Sequence, residues 1–244
     1  MINDNANNAG TPAIVLVHGA WADSSCWNAV IPLLQADGFA VYAPPNPLRG
    51  LATDAASIAD FLKTIPGPVI LVGHSYGGSV TSVASARCSN VKALVFIDAF
   101  VPDTGESCLS LLGTYPSPPN DLFTPVWLEA GDTDMYFSRK YFGPAFATGV
   151  DAKVAAVMAV TQRPVSLSAL NENAPAELGW KTLPSWYVLG DLDQAIPPPL
   201  KLMMATRAKA TITHANAGHL SMIQHPETTL AAIVAAGEGA ATVS

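Results

Sequence analysis

The chain has 244 residues, of which half are apolar and only 13% are charged, and its formal net charge is −7. This length suits one large α/β domain or two small ones and buries a sizeable core without disulfides or metals. The twelve Lys and Arg are scattered and form no basic stripe for phosphates, which excludes nucleic acid as a partner; the acidic balance serves solubility.

Short apolar runs alternate with amphipathic stretches along the chain, the pattern of a parallel sheet covered by helices. Residues 13–17 (AIVLV) read as a buried strand. A helix is expected over 25–36, capped by Asp23 or Ser24 and ended by Gly38. A strand over 39–43 stops at Pro44 and Pro45, and a second helix covers 51–64. Further strands are expected at 69–72, 93–97, 185–189 and 211–214, with helices at 76–88, 201–209 and 226–236. That makes about six mostly parallel strands.

Residues 103–181 break the rhythm with clustered prolines (Pro116, Pro118, Pro119, Pro125), many aromatics and one clear helix near 151–162. A bare loop of this length is uncommon. The segment reads as a mostly helical lid inserted before the last two strands. The domain plan is therefore a core in two parts, 1–102 and 182–244, interrupted by the lid.

Cys26, Cys88 and Cys108 are odd in number and lack C-x-x-C spacing, so they read as free buried thiols, with no metal site expected. Residues 1–10 are polar and Asn-rich, unlike a signal peptide, and no apolar run approaches the ~20 residues of a membrane span. A cytoplasmic protein is the expectation.

The strongest chemical signal is Gly73-His74-Ser75-Tyr76-Gly77-Gly78, a G-x-S-x-G between an apolar strand and a helix. A tight strand-to-helix turn there strains the serine backbone and lifts its hydroxyl above the sheet as a nucleophile. The loop His18-Gly19-Ala20-Trp21 follows the first strand. In a sheet with this elbow, such a loop supplies one backbone N–H of an oxyanion hole and the residue after the nucleophile supplies the other, here Ala20 and Tyr76. His18 reads as a structural histidine holding the loop.

The base follows the acid near the C-terminal end, which selects His219 in the loop Ala217-Gly218-His219-Leu220. Gly218 is expected to let the backbone swing the ring over Ser75. Asp191 and Asp193 both follow the 185–189 strand. Asp193 is preferred as the acid because it lies three residues after Gly190 and just before Ile196-Pro197; Asp191 is then a turn or capping residue, and Asp98 is a third candidate.

These residues resemble the α/β-hydrolase superfamily, and within it the small branch of bacterial carboxylesterases, plant methylesterases and hydroxynitrile lyases. The shared pieces are VLVHGAW, LLQADGFAV, GHSYGG, DAFVP, GDLDQAIP and AGHLSMIQHP, spread over nearly the whole chain. The resemblance implies an α/β-hydrolase fold, Asp193 before the Ile-Pro turn as the acid, and Ala20 as the second oxyanion donor. Epoxide hydrolases and haloalkane dehalogenases carry Asp at the elbow, where this chain has Ser75. Lyases of the branch carry Thr after the loop histidine and Lys after the catalytic one; here these are Gly19 and Leu220.

The expected function is hydrolysis of a carboxylic ester with small-to-medium apolar groups, with no cofactor. Trp21 and Phe100 are expected against the substrate. The alternative is a non-hydrolytic enzyme on the same triad: a lyase, a cofactor-free oxygenase or a perhydrolase. A slow ligand receptor is a third reading.

Overall fold

A computed structural model describes residues 11–116 and 121–241. Pro118 and Pro119, and the polar residues 1–10, lie outside the described residues.

Six strands build one parallel sheet: β1 (Ala13–Val17), β2 (Val41–Tyr42), β3 (Val69–His74), β4 (Val91–Ile97), and, after a long insertion, β8 (Ser185–Gly190) and β9 (Thr211–Ala215). Their order is β2-β1-β3-β4-β8-β9. Every residue of β1 and β3 is buried, as expected where helices cover both faces of a parallel sheet. The chain leaves β1 for β2 on one side and returns to β3 on the other, which opens a crevice at the carboxyl ends of β1 and β3. The register aligns Val17 with Gly73, His74 with Ile97, and Ile97 with Val188. The loops that begin at His18, Ser75, Asp98 and Asp191 therefore leave the sheet side by side.

The helices of the first half are α1 (Ile31–Ala36), α2 (Leu51–Lys63) and α3 (Tyr76–Ser85). The single helix expected over 25–36 is two pieces: a 3₁₀ turn at Ser24–Trp27, capped by the Asp23 carboxylate, then α1. Pro32 lacks the N–H that a continuous helix would need there, so it sits in the first turn of a new one. α3 is buried throughout and drives into the middle of the domain.

Between β4 and β8 lie short helices α4 (Cys108–Leu112), α5 (Arg139–Tyr141), α6 (Ala152–Thr161) and α7 (Leu167–Asn171), with a π-helical turn at Phe142–Phe146. The insertion also holds a three-stranded antiparallel sheet, β5 (Phe123–Trp127), β6 (Thr133–Phe137) and β7 (Val165–Ser166), where the sequence pattern had suggested mostly helix. Pro125 disguises β5, yet β5 is an edge strand, where a missing N–H is tolerated. Helices α8 (Pro198–Arg207), α9 (Ser221–Gln224) and α10 (Pro226–Ala241) complete the chain. No helix among the described residues is long and apolar enough to cross a membrane.

Gly77 shows how tightly α3 is seated. A Cβ there would lie 2.6 Å from the Val17 carbonyl oxygen and 2.8 Å from that of His18. Both obstacles are backbone, so the helix itself has to move. Gly77→Ala is expected to destabilise the fold by about 1–3 kcal/mol, the usual cost of overpacking. An unchanged urea midpoint in this variant would show that α3 is not held against β1 as described.

Candidate active site

Ser75 joins β3 to α3 with φ 53° and ψ −127°, a left-handed backbone forced on a residue with a side chain. Such a conformation costs on the order of 1–3 kcal/mol and survives only where neighbours dictate it. Here its N–H donates to the Ile97 carbonyl at 3.2 Å, while its own carbonyl accepts from Gly78 at 2.9 Å and Phe100 at 3.1 Å. β4 and the loop after it thus hold the elbow from one side and α3 from the other.

The Ser75 hydroxyl donates to His219 Nε2 at 2.8 Å, and His219 Nδ1–H donates to Asp193 Oδ2 at 2.8 Å. The other Asp193 oxygen accepts from the N–H groups of Ala195 and Ile196 at 2.7 and 3.0 Å. All three side chains are buried. Burial alone would raise the Asp193 carboxyl, but the charges and hydrogen bonds of His219 and Lys201 outweigh it and hold the carboxyl far below the usual range. It is ionised in the folded protein.

The other acid candidates are employed elsewhere. Asp191 is exposed and pairs with His214 Nδ1 at 2.7 Å on the surface. Asp98 is fully buried and accepts from Gly190 N–H at 2.6 Å, Lys201 Nζ at 2.6 Å, and the Ser221 hydroxyl and N–H. Sequence reasoning passed over Lys201, a fully buried ammonium that also donates to Asp193 Oδ2 at 2.7 Å. The signal was a lone lysine in the apolar run Pro198-Pro199-Leu200-Lys201-Leu202-Met203-Met204.

Gly218 has a different role from the one expected. It is absent from the glycines at positive φ. A Cβ there would fall 2.4 Å from the Thr148 carbonyl oxygen, so close approach of the insertion is what requires glycine. The His74 ring donates to the His219 carbonyl at 3.0 Å, and the Phe146 ring lies 5.2 Å from that of His219.

The loop after β1 is fastened from both sides. The buried His18 ring accepts from Asn46 N–H at 3.0 Å and hydrogen-bonds the Gly19 carbonyl at 2.9 Å. Burial pushes its pKa down to about 4, so it is a neutral staple at pH 7. Trp21, at φ 57°, donates its backbone N–H to Arg163 and its indole N–H to the Met135 carbonyl. Its ring stacks on Phe123 at 5.2 Å and meets Phe137 edge-on at 5.2 Å.

A cavity of about 500 Å³ opens over Ser75. Ala20 and Tyr76 line it beside Ser75 and His219, as do Trp21 and Phe100. Tyr76 begins α3, so its N–H has no carbonyl within the helix to bond. No Asp, Glu, Lys or Arg is among the described residues of the lining. Of the insertion's aromatics Trp127, Tyr136, Phe137, Phe142 and Phe146, Phe137 reaches the cavity. Trp127 is 78% exposed, and Phe142 is buried among other rings. Cys108 lines the cavity as a neutral thiol, since burial pushes it up to about 12.

Residues 14–233 match the alpha/beta hydrolase family. A carbendazim hydrolyzing esterase from Nocardioides sp. is 36% identical over 40% of this chain and 46% of its own length. An alpha-hydroxynitrile lyase from Arabidopsis thaliana is 28% identical over 75% of this chain and 80% of its own. The chain spans about half the length of the curated esterases it matches first, 46%, 49% and 56%. The crystal structure of polyneuridine aldehyde esterase superposes with a TM-score of 0.79 at 19% identity, covering 92% of this chain and 98% of that one. With the fold, the sheet order and this match over most of its length, the chain belongs to the alpha/beta hydrolase family.

Proposed function

We propose that the protein is a serine hydrolase that cleaves neutral carboxylic esters with small-to-medium apolar groups. The observation that carries this reading is the unbroken hydrogen-bonded row Ser75–His219–Asp193, ending in an uncharged cavity. Ser75 attacks the ester carbonyl while His219 takes the hydroxyl proton, and Asp193 stabilises the imidazolium that forms. Negative charge develops on the carbonyl oxygen, facing the N–H groups of Ala20 and Tyr76. His219 returns its proton to the departing alcohol, leaving an acyl-serine. Water then attacks that acyl group, again with His219 as base, and releases the acid.

The lining supports this substrate class. A free carboxylate or ammonium on the substrate would enter this cavity without a counter-charge, and an unpaired buried charge is costly. We assign residues 103–181 the part of a lid that sets substrate size, because much of the cavity wall comes from that segment. Three buried free thiols suit a reducing compartment and, with it, a cytoplasmic location.

Cyanohydrin cleavage is the second chemistry to weigh, given the lyase relative. A Cβ on Gly19 would lie 2.6 Å from Ser75 Cβ and 2.8 Å from the His74 carbonyl oxygen. The threonine carried there by lyases of this branch finds no space, which favours the hydrolase.

Three outcomes are expected. A fluorophosphonate probe should label the wild-type chain at one site, and Ser75→Ala should abolish labelling; persistent labelling in the variant would remove Ser75 as nucleophile. Asp193→Asn should lower kcat for a nitrophenyl ester by about 10⁴-fold, because Asn neither orients nor stabilises the charged ring. Asp191→Asn should stay close to wild type, and the reverse pattern would move the acid to Asp191. Phe137→Leu should change the ratio of kcat/KM for aryl over alkyl esters by about two- to tenfold, the worth of a lost aromatic pair. A uniform loss across esters with a lowered Tm would make Phe137 only a packing residue.

A further inference from the structure

Lys201 is the feature that the triad reading leaves unexplained. Its ammonium has three N–H bonds, and all three are used: on Asp98 Oδ1 at 2.6 Å, Asp193 Oδ2 at 2.7 Å and the Gly190 carbonyl at 2.9 Å. The side chain is fully buried, as are both carboxylates. Helix economy does not put it there. Lys201 lies in the first turn of α8, where the helix dipole disfavours a cation. Nor is it cheap, because each ion of a buried pair loses its water. The oxygen it grips is the one that accepts the His219 N–H.

We propose that Lys201 is a positioning residue that cancels the charge of Asp98 and clamps Asp193, so that His219 faces one uncompensated carboxylate instead of two and the enzyme keeps its rate to lower pH. The proposal rests on the Ser75–His219–Asp193 reading and adds to it a charge balance. With His219 neutral, the buried row Asp98–Lys201–Asp193–His219 carries one negative charge. When His219 takes the serine proton, the row becomes neutral. Without Lys201, Asp193 and Asp98, whose carboxyl burial already raises, would face each other with no cation between them.

The groups around the row leave these charges in control. Toward His219, β3 presents His74, whose ring lies 4.9 Å from that of His219 and is kept neutral by burial. The insertion presents Phe146. Toward Asp98, β8 presents Tyr187, whose hydroxyl is kept protonated by burial and donates to the Ala99 carbonyl. The loop after His219 presents Ser221, which is uncharged. Burial pulls Lys201 down, but Asp98 and Asp193 together raise it above its ordinary value, so the ammonium persists.

The test is the acid limb of the pH–rate profile for kcat/KM on a nitrophenyl ester. Lys201→Gln removes the cation, and its midpoint should move to higher pH by on the order of one unit. Asp98→Asn leaves the cation unbalanced beside Asp193, and its midpoint should move to lower pH by a similar amount. Asp98→Asn/Lys201→Gln should lose that downward shift, since the cation is gone. Lys201→Met, a neutral side chain of similar length, replaces Lys201→Gln if the latter does not fold. Opposite shifts in the two single variants support the charge balance. Shifts of the same sign, or unmoved midpoints with a lower Tm, would make Lys201 a staple of the core and overturn the proposal. His219→Ala separates the two readings: if it retains the wild-type rate, the triad itself fails, whereas if it is inactive and the midpoints do not diverge, only the role of Lys201 falls.

Discussion

Ser75 keeps a left-handed backbone because β4 and α3 leave it no alternative, and much of the site takes its position from that turn. A serine at the end of an ordinary strand would point along the sheet face and be covered by a helix. Turned at φ 53°, it stands at the carboxyl end of β3 with its hydroxyl toward the crevice. The turn is possible only because backbone crowds backbone: Gly73 meets Gly77, and Gly77 meets Val17 and His18. The same crowding places the first N–H of α3 next to the loop after β1. The proposed nucleophile and oxyanion donors are thus one consequence of one packing constraint.

The second level of organisation is a set of ties from the core loops to the insertion. Trp21 is the main one, with its backbone on Arg163, its indole on Met135 and its ring among Phe123, Phe137 and Phe146. Arg49 adds an ion pair to Asp134 of β6 at 2.6 Å. That pair is partly exposed, and surface pairs are worth little alone. The aromatic contacts carry more, through the apolar area they remove from water. The cavity over Ser75 is therefore walled on one side by a loop that cannot shift without moving β6.

Much of this was legible in the residues. The elbow announced itself because strained turns demand glycines at fixed offsets, and His219 was singled out by chain order and its loop. Asp193 and Asp191 could not be separated by periodicity; what separates them is that Asp193 turns inward under Ile196 while Asp191 meets His214 at the surface. Lys201 was passed over because even a lone lysine in an apolar run normally carries its head to solvent. Nothing local says that Asp98, 103 residues earlier in the chain, converges on it together with Asp193. The β5–β6 hairpin was missed for a local reason, since Pro125 contradicts a strand unless the strand is known to be an edge. Gly218 was recognised as special, but its reason is a long-range contact with Thr148 that no local pattern encodes.

That contact bears on how such a scaffold diversifies. Thr148 presses its carbonyl against Gly218 and accepts a hydrogen bond from Gln224, and Phe146 leans on the His219 ring. The stretch 146–148 thus supports His219, although it belongs to the segment that lines much of the cavity. Leu122 and Phe123 line the same cavity, and Phe137 bridges to this support through its contact with Phe146 at 5.5 Å. Mutational drift toward new substrates is then unequally free across the insertion. Wholesale exchange of the segment between relatives would carry along the contacts of Phe146 and Thr148 with the histidine loop, whereas a point change at Leu122 would leave those contacts in place.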